Sequence, residues 1–189
     1  MHHVPLLGFS LALLSTVSAF VLPANQADGF YQVRRSASGS EIHESVKTAP
    51  SDRRTTTSSS SSAETHQLAK RGWGHTYCGC GIELSHDDTD AAVADLKAQL
   101  GDRSYINPGE AYYSVRGGVV AFVCNDDGNA PLKAWTDVVT QAAQQVTDSC
   151  GLYIAGSTGA NFEFSIGYMQ NSDGLDFCGS ALSSGAGSC

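Results

Sequence analysis

The distribution of cysteines is the feature that most constrains how this chain folds. The chain has 189 residues, and its six cysteines all lie from position 78 onward, at Cys78, Cys80, Cys124, Cys150, Cys178 and Cys189. An even number of cysteines in a small exported domain predicts three disulfide bridges. The pairing stays open, except that Cys78 and Cys80 lie too close along one strand to bridge each other without strain. A bridge from Cys189 would tie down the Gly/Ser-rich tail at residues 183–188.

Residues 1–19 have the features of a secretory signal peptide. Residues 4–21 are almost entirely apolar, and Val17-Ser18-Ala19 occupies the positions that a signal peptidase reads. A buried N-terminal helix is the alternative, because His2 and His3 stand where a signal peptide normally carries Lys or Arg. Export passes the chain through an oxidising compartment, in which cysteines pair. We therefore expect a secreted, extracellular protein.

Residues 20–71 differ in composition from the rest of the chain. They contain no cysteine, and residues 55–62 are a run of Thr and Ser. This composition predicts a disordered pro-segment. The segment contains three basic pairs: Arg34-Arg35, Arg53-Arg54 and Lys70-Arg71.

Kexin-type proteases of the secretory pathway cut after basic pairs in exposed chain. Lys70 and Arg71 stand where the composition changes, shortly before the first cysteine. We therefore predict cleavage after Arg71, with a kexin-type protease as the partner during secretion. A solvated pair of charges is the alternative interpretation.

The remaining segment, residues 72–189, is the predicted mature domain, and it is acidic. The whole chain has a net charge of −8 at pH 7, and this segment contains few of its basic residues: Lys97, Arg103, Arg116 and Lys133. An acidic surface is repelled by phosphate backbones, so we expect no nucleic-acid partner. Beyond the first 23 positions no apolar run approaches the roughly 18 residues of a membrane span, so we expect no integral membrane segment.

Hydrophobic periodicity predicts two helices in this domain. Residues 87–100 begin with acidic side chains, which suit a helix N-terminus, and Gly101 suits its end. The second helix is predicted to start near Asn129 and Pro131 and to end at Cys150. Its apolar stripe places Cys150 on the inner face, in position to bridge into the sheet.

Five strands are predicted around these helices, at residues 77–84, 111–116, 119–125, 152–156 and 162–169. The second and third flank Gly117-Gly118, which is typical of a hairpin turn. The third is apolar throughout, which favours a central, covered position. The order β-α-β-β-α-β with a final strand predicts an α+β fold. We expect a disulfide-stapled, two-layer α/β sandwich of the split βαβ type, with an antiparallel sheet and two helices on one face.

Three features of this domain resemble two related groups of small secreted fungal proteins. They are the helix that begins near Asp90, the hairpin that ends in Phe122-Val123-Cys124-Asn125, and the helix that ends in Asp148-Ser149-Cys150-Gly151. One group is the necrosis-inducing-factor-like effectors of plant-associated fungi, and the other is the virally encoded killer toxins of smut fungi. The resemblance covers roughly residues 76–170 and lies in order and spacing. It implies an extracellular α/β sandwich that acts on a host or competitor cell without enzymatic chemistry.

Zinc binding is an alternative role for the first two cysteines. His75, Cys78, Cys80 and His86 lie close together in the chain and have side chains that bind zinc. Six cysteines in an exported chain divide evenly into disulfides, which we favour. We therefore expect no metal and no other cofactor.

Secreted hydrolysis, such as that of a ribonuclease, is the alternative activity. His75 or His86, with Glu83 and with Arg103 or Arg116, would supply an acid, a base and a cation. The spacing matches no hydrolase motif that we recognise. The segment Gly156-Ser157-Thr158-Gly159 has the look of a nucleophile elbow but is predicted to lie in a hairpin loop between two strands.

Two acidic clusters and a set of aromatic residues complete the candidates. Asp87, Asp88 and Asp90 form one acidic cluster and residues 126–129 the other, and calcium is the alternative to a helix start and a capping turn. A binding face is the alternative to sheet packing for five aromatic residues: Trp73, Tyr77, Tyr112, Tyr113 and Tyr153.

The function we expect is that of a non-enzymatic effector or killer-toxin-like protein, with no catalytic residues. It would bind a target on the surface of a host or competitor cell after release by kexin-type cleavage. A cell-wall-associated structural protein is a further alternative. The diffusible, acidic product of a precursor cut favours the effector.

Overall fold

A computed structural model describes residues 20–46, 73–102, 104–160 and 163–189. The helices are α1 (His86–Leu100), α2 (Thr136–Cys150) and the short α3 (Phe177–Ser180). The strands are β1 (Gly29–Arg35), β2 (Glu41–Ser45), β3 (His75–Glu83), β4 (Ser104–Ile106), β5 (Glu110–Arg116), β6 (Val119–Asn125), β7 (Leu132–Ala134), β8 (Ile154–Ala160) and β9 (Phe164–Gln170). The structure confirms a mixed α/β fold with an antiparallel sheet and three disulfide bridges.

Seven strands form the main sheet, in the order β2-β1-β5-β6-β9-β8-β3, and β4 pairs with β7 in a separate ribbon. Each neighbouring pair in the main sheet is antiparallel. The central strand is β6, and all seven of its residues are buried. The apolar run predicted a central strand, and this prediction is confirmed. Because side chains alternate along a strand, β6 needs an apolar layer on each face of the sheet.

Helices α1 and α2 cover one face of the sheet. Their buried side chains pack in one cluster with Val119, Ala121 and Val123 of β6. Ser85 caps α1, since its hydroxyl accepts a hydrogen bond from the Asp88 amide, and Gly101 ends the helix as predicted. These two helices thus form one apolar layer against the central strand.

Helix α2 begins later than the sequence predicted. Residues 132–134 form β7, which pairs with β4, so Asn129 does not cap the helix. The amide of Thr136 donates to the carbonyl of Gly101 at 2.9 Å, and its hydroxyl donates to the carbonyl of Lys97 at 3.0 Å. These bonds join the start of α2 to the end of α1. The sequence pattern predicted a helix over residues 132–134. These residues instead pair with β4, which satisfies their backbone hydrogen bonds.

Apolar residues also cover the opposite face of the sheet, so the predicted two-layer sandwich does not describe the whole fold. Val120 and Phe122 of β6 pack there against Phe177 of α3, and Phe20 and Leu22 belong to the same cluster. The cover therefore comes from both ends of the described chain. It includes residues that the sequence assigned to a pro-segment.

The disorder predicted for residues 20–71 is wrong for residues 20–46. This part forms β1 and β2, and β1 pairs with β5 over six residues, from Gly29 opposite Val115 to Arg34 opposite Glu110. Composition predicted disorder because the segment has few apolar residues of its own. The sheet supplies the apolar surface on which they are buried. The predicted disorder of residues 47–71, and the predicted signal peptide at residues 1–19, lie outside the described residues.

The hairpin between β5 and β6 confirms the turn predicted at Gly117-Gly118. Gly117 has a φ of +49°, and a Cβ at this position would lie 2.5 Å from a carboxylate oxygen of Asp88. The amide of Gly118 donates to Asp88, and the amide of Gly117 donates to Asp28. The turn therefore binds a carboxylate from α1 and another from the N-terminal segment.

The burial of β1 is tested by shortening one side chain. Val33 is fully buried, so Val33→Ala should lower the free energy of unfolding of the full chain by about 2 kcal/mol, through lost burial and a residual cavity. Urea unfolding measures this, with Ser38→Ala in the exposed β1–β2 turn as the control. Equal unfolding midpoints for the two variants would mean that residues 20–46 do not pack as described.

Candidate functional site

All six cysteines are paired, as Cys78–Cys150, Cys80–Cys189 and Cys124–Cys178. The structure confirms the predicted number of three bridges. It also confirms that one of them joins α2 to the sheet and that another starts from the last residue. The sulfurs of Cys78 and Cys80 are therefore not free to bind zinc. Among the described residues, no group of His, Cys, Asp and Glu side chains is placed to hold a metal ion.

The Cys80–Cys189 bridge holds the C-terminal tail against β3, which is an edge strand of the sheet. The amide of Cys78 donates to the carbonyl of Ala186 at 2.8 Å, and the amide of Cys189 donates to the carbonyl of Ser149 at 3.1 Å. The tail thus satisfies an exposed sheet edge, which otherwise invites association with other chains. The sequence predicted that a bridge from Cys189 would hold the tail, but it did not predict that Cys80 is the partner.

The acid-base set predicted for a hydrolase is not brought together. His86 lies 3.6 Å from Glu83, between Nε2 and Oε1. His75 begins β3 opposite Gly159 of β8, and Glu83 ends it opposite Ile154, so the two residues lie about 17 Å apart along the strand. Arg116 forms an ion pair with Asp95 at 3.0 Å, about 13 Å along α1 from His86. Arg103 lies outside the described residues. Among the described members of the set, His75, His86 and Arg116 therefore do not share one site.

His86 instead belongs to an exposed cluster at the end of β3, which we call the His86–Tyr153 cluster and define as Glu83, His86, Asp90, Leu152 and Tyr153. The rings of His86 and Tyr153 are stacked, with centroids 3.8 Å apart and planes at 16°. The Tyr153 hydroxyl donates to Asp90 at 3.1 Å. This hydrogen bond raises the pKa of Tyr153 above its usual value.

Two features of the cluster are unusual for a surface. Tyr153 has a φ of +58°, a left-handed conformation that a bulky residue rarely adopts. Leu152 beside it is 66% exposed, the largest exposure among the large apolar side chains of the described residues. Strained backbone and exposed apolar side chains both occur at functional surfaces. No sequence motif marks this cluster, because residues 83–90 and residues 152–153 lie far apart along the chain.

The five aromatic residues named from the sequence do not form one binding face. Tyr113 is fully buried on the second face of the sheet, whereas Tyr112 stacks on Phe30 at 5.5 Å. Trp73 packs edge-on against Phe164. Among the five, Tyr153 alone lies in the exposed cluster. Tyr112 and Tyr113 therefore pack within the sheet and do not form a binding face.

A groove of about 290 Å³ lies between β3, β8 and the C-terminal segment. Among the described residues, its lining includes Tyr77, Ile82, Met169 and Leu175 but no carboxylate, histidine, lysine or arginine. Ser157 also lines it, and its hydroxyl donates to the carbonyl of Ala181. The hairpin loop predicted for residues 157–160 is wrong, because β8 continues through them. The groove therefore offers an apolar surface rather than an acid or a base.

The acidic segment at residues 126–129 forms a hydrogen-bonded loop before β7, and the helix-capping role that the sequence favoured for it is wrong. The Asp127 amide donates to the side chain of Asn125, and the Asn129 amide donates to the carboxylate of Asp127. Asp126 points inward, where its carboxylate accepts a hydrogen bond from Ser165 at 3.1 Å. Burial raises the pKa of Asp126 to about 6, and the nearby charge of Asp176 adds to this effect.

The structure separates the three basic pairs. Arg34 and Arg35 lie in β1, which pairs with β2 on one side and with β5 on the other. Arg34 also forms an ion pair with Glu44 at 3.0 Å. A protease needs an extended, unpaired chain in its cleft, so this pair is protected while the sheet is intact. Arg53-Arg54 and the predicted processing site, Lys70 and Arg71, lie outside the described residues.

Comparisons with protein-family models, with curated proteins and with solved structures found no significant match. Within the described part of the chain, no helix has the length and apolar character needed to cross a membrane.

The buried Asp126 carboxyl should make folding stability depend on pH. Its folded-state pKa of about 6 exceeds the ordinary aspartate value of 3.8, so the folded state binds more protons and loses stability as pH rises between these values. Asp126→Asn should therefore raise the free energy of unfolding by about 2 kcal/mol at pH 7.5 and by much less at pH 4. Chemical unfolding at the two pH values measures this. An equal difference between variant and wild type at both values would contradict it.

Proposed function

We propose that this chain is a secreted, non-enzymatic effector or killer-toxin-like protein that is cut after Arg71 and binds a target on a host or competitor cell. The observation that carries the proposal is the complete pairing of the six cysteines in three bridges. Disulfides form and persist in secreted proteins and are rare in the cytosol. The apolar segment at residues 4–21, with Val17-Ser18-Ala19 near its end, supplies the matching export signal.

Cleavage after Arg71 is supported by where the sheet places the ends of the connecting segment. Strand β2 forms one edge of the sheet and β3 forms the other. Residues 47–72 join these edges, and they include Lys70 and Arg71. A cut there breaks no strand pairing of the described sheet. The processing protease thus has a substrate segment whose cleavage leaves the described fold intact.

The His86–Tyr153 cluster supports action by binding. Its tyrosine ring is held by a stacked histidine on one side and by a hydrogen bond from its hydroxyl to Asp90. A rigid aromatic side chain loses little conformational entropy when it contacts a partner, which is why tyrosine is frequent in binding hot spots. Leu152 adds exposed apolar area beside it. We propose this cluster as the contact surface for the target.

A ribonuclease-like hydrolase is the second candidate, because His86 lies close to the carboxylate of Glu83. Such an enzyme also needs a cation to stabilise the anionic transition state. Arg116, one of the two cations considered, is paired with Asp95. This engagement favours the binding role for His86 over the catalytic one.

The contact surface is tested by removing the Tyr153 ring. Tyr153→Asn should reduce binding to target cells at least tenfold (~1.4 kcal/mol), a typical cost for an interface hot spot. Asn is chosen because it tolerates the left-handed backbone at this position. The measurement is binding of the fluorescently labelled secreted protein to candidate host and competitor cells, together with a necrosis or killing assay.

Tyr105→Asn is the matched control, because it removes another tyrosine ring from the surface: Tyr105 is 57% exposed but lies on β4, outside the cluster. It should leave binding and killing unchanged. Equal losses for the two variants, or none for either, would remove the cluster from the proposed mechanism. Hydrolysis of RNA by the wild type that disappears in His86→Ala would replace the binding role with the hydrolase.

The difference in protection among the basic pairs is tested by limited proteolysis of the folded precursor. A kexin-type protease should cut after Arg71 at least a hundredfold faster than after Arg35, because cleavage within β1 requires that the strand first separate from β2 and β5. Mass spectrometry of the fragments over time measures both rates. In denaturant both sites should be cut at comparable rates, which is the control. Rapid cleavage after Arg35 in the folded protein would contradict this expectation.

A further inference from the structure

We propose that residues 20–46 stay bound after the cut, as part of a second, non-covalent chain, so that the secreted product is a two-chain complex. The binding surface for this chain is the edge of β5 together with the apolar face of the sheet beside it. The inference rests on the proposed cleavage after Arg71. It concerns what happens to the N-terminal chain once the connection is broken.

The backbone of β5 needs the N-terminal segment as a partner. Strand β1 lies between β2 and β5, and removal of β1 and β2 would make β5 an edge of the sheet. Alternate residues among the six paired positions on β5 would then present unpaired amides and carbonyls. Exposed edges of this kind recruit other chains. The segment that already occupies the edge also keeps its own hairpin, since β1 and β2 pair with each other.

The apolar face behind β5 needs the same segment as a cover. Phe20, Leu22 and Val33 are each no more than 1% exposed, and all three pack in the cluster that contains Tyr113 and Phe177. The ring of Phe20 stacks on that of Phe177, with centroids 6.5 Å apart. Loss of the segment would expose this cluster to water. The hydrophobic effect therefore opposes dissociation.

A buried hydroxyl adds specificity to this surface. Tyr113 is fully buried, and its hydroxyl lies 2.8 Å from Nδ1 of His43 on β2. The ring of Tyr31 on β1 stacks on the ring of Tyr113, with centroids 5.1 Å apart. A second polar contact joins the Gly117 amide to Asp28 at 2.9 Å. The N-terminal segment thus matches both the shape and the hydrogen-bonding groups of the surface beneath it.

The first residues of the segment are anchored separately, beside α3. The amide of Leu22 donates to the carbonyl of Leu175 at 2.8 Å, and the amide of Phe177 donates to the carbonyl of Phe20 at 3.3 Å. Phe20 directly follows the predicted signal-peptidase site at Ala19. Export would thus leave a new N-terminus at a residue that is already seated in the fold.

No disulfide would hold this chain in place after the cut. The six cysteines all lie from Cys78 onward, and they pair with one another. Cleavage after Arg71 would therefore convert contacts within one chain into contacts between two, and retention would depend on concentration. Two chains that separate under denaturing, non-reducing conditions but migrate together when native are the expected signature.

The experiment analyses the protein purified from culture medium without reductant. Denaturing mass spectrometry should show two chains, residues 20–71 and 72–189, whereas native mass spectrometry and gel filtration at about 10 μM should show one complex. A cleaved product in which residues 72–189 migrate alone would overturn the inference. If the secreted chain is uncut, the proposed processing fails. Limited trypsin digestion of the segment at 47–72 then breaks the connection in vitro, and the same native measurement decides retention.

Two matched variants tie retention to the described contacts. Leu22→Ala removes a buried side chain of the anchor, and after the cut it should weaken retention at least tenfold in a dilution series followed by native mass spectrometry. Ser38→Ala, in the exposed turn, should leave retention unchanged. A variant that combines Leu22→Ala with replacement of both basic pairs of the connecting segment, Arg53→Ala/Arg54→Ala and Lys70→Ala/Arg71→Ala, stays uncut and shows whether the fold survives Leu22→Ala. Equal retention for Leu22→Ala and Ser38→Ala would overturn the proposed surface.

Discussion

The fold depends on the burial of β6 on both faces. Because the strand is apolar throughout, each face of the sheet at β6 requires an apolar layer. The two layers come from different parts of the chain. Helices α1 and α2 cover one face from within the disulfide-bonded domain. The other face is covered by α3 and by Phe20 and Leu22, which precede the domain by at least fifty residues. The N-terminal segment therefore belongs to the fold and is more than a spacer.

The disulfides reinforce this arrangement at three different places. Cys78–Cys150 joins β3 to the end of α2, Cys80–Cys189 holds the tail at the sheet edge, and Cys124–Cys178 joins the end of β6 to α3. The bridges constrain the unfolded chain and so favour the folded state. They leave the N-terminal segment held by strand pairing, side-chain burial and hydrogen bonds alone. A proteolytic cut after Arg71 therefore leaves α1 and α2 on the same chain as β6, whereas Phe20 and Leu22 become part of a separate chain.

The side chains that could carry chemistry are distributed over the surface. His75 and Glu83 lie at opposite ends of β3, and Arg116 is held by Asp95 on α1. The tertiary structure instead brings the exposed side chains of His86 and Leu152 together with the partly exposed Tyr153 in the His86–Tyr153 cluster. This arrangement suits recognition of a partner, and it underlies the proposed role as an effector or toxin-like protein.

Patterns in the amino-acid sequence were enough to predict the end of α1 at Gly101, the turn at Gly117-Gly118, the central position of β6 and the pairing of all cysteines. The disulfide partners, the β4–β7 ribbon and the His86–Tyr153 cluster were decided by tertiary structure, since each joins residues far apart along the chain. The same holds for residues 20–46. Their composition predicts disorder for an isolated segment, because it buries too little apolar surface alone. Order arises when Phe20, Leu22 and Val33 fill a surface that the rest of the fold creates.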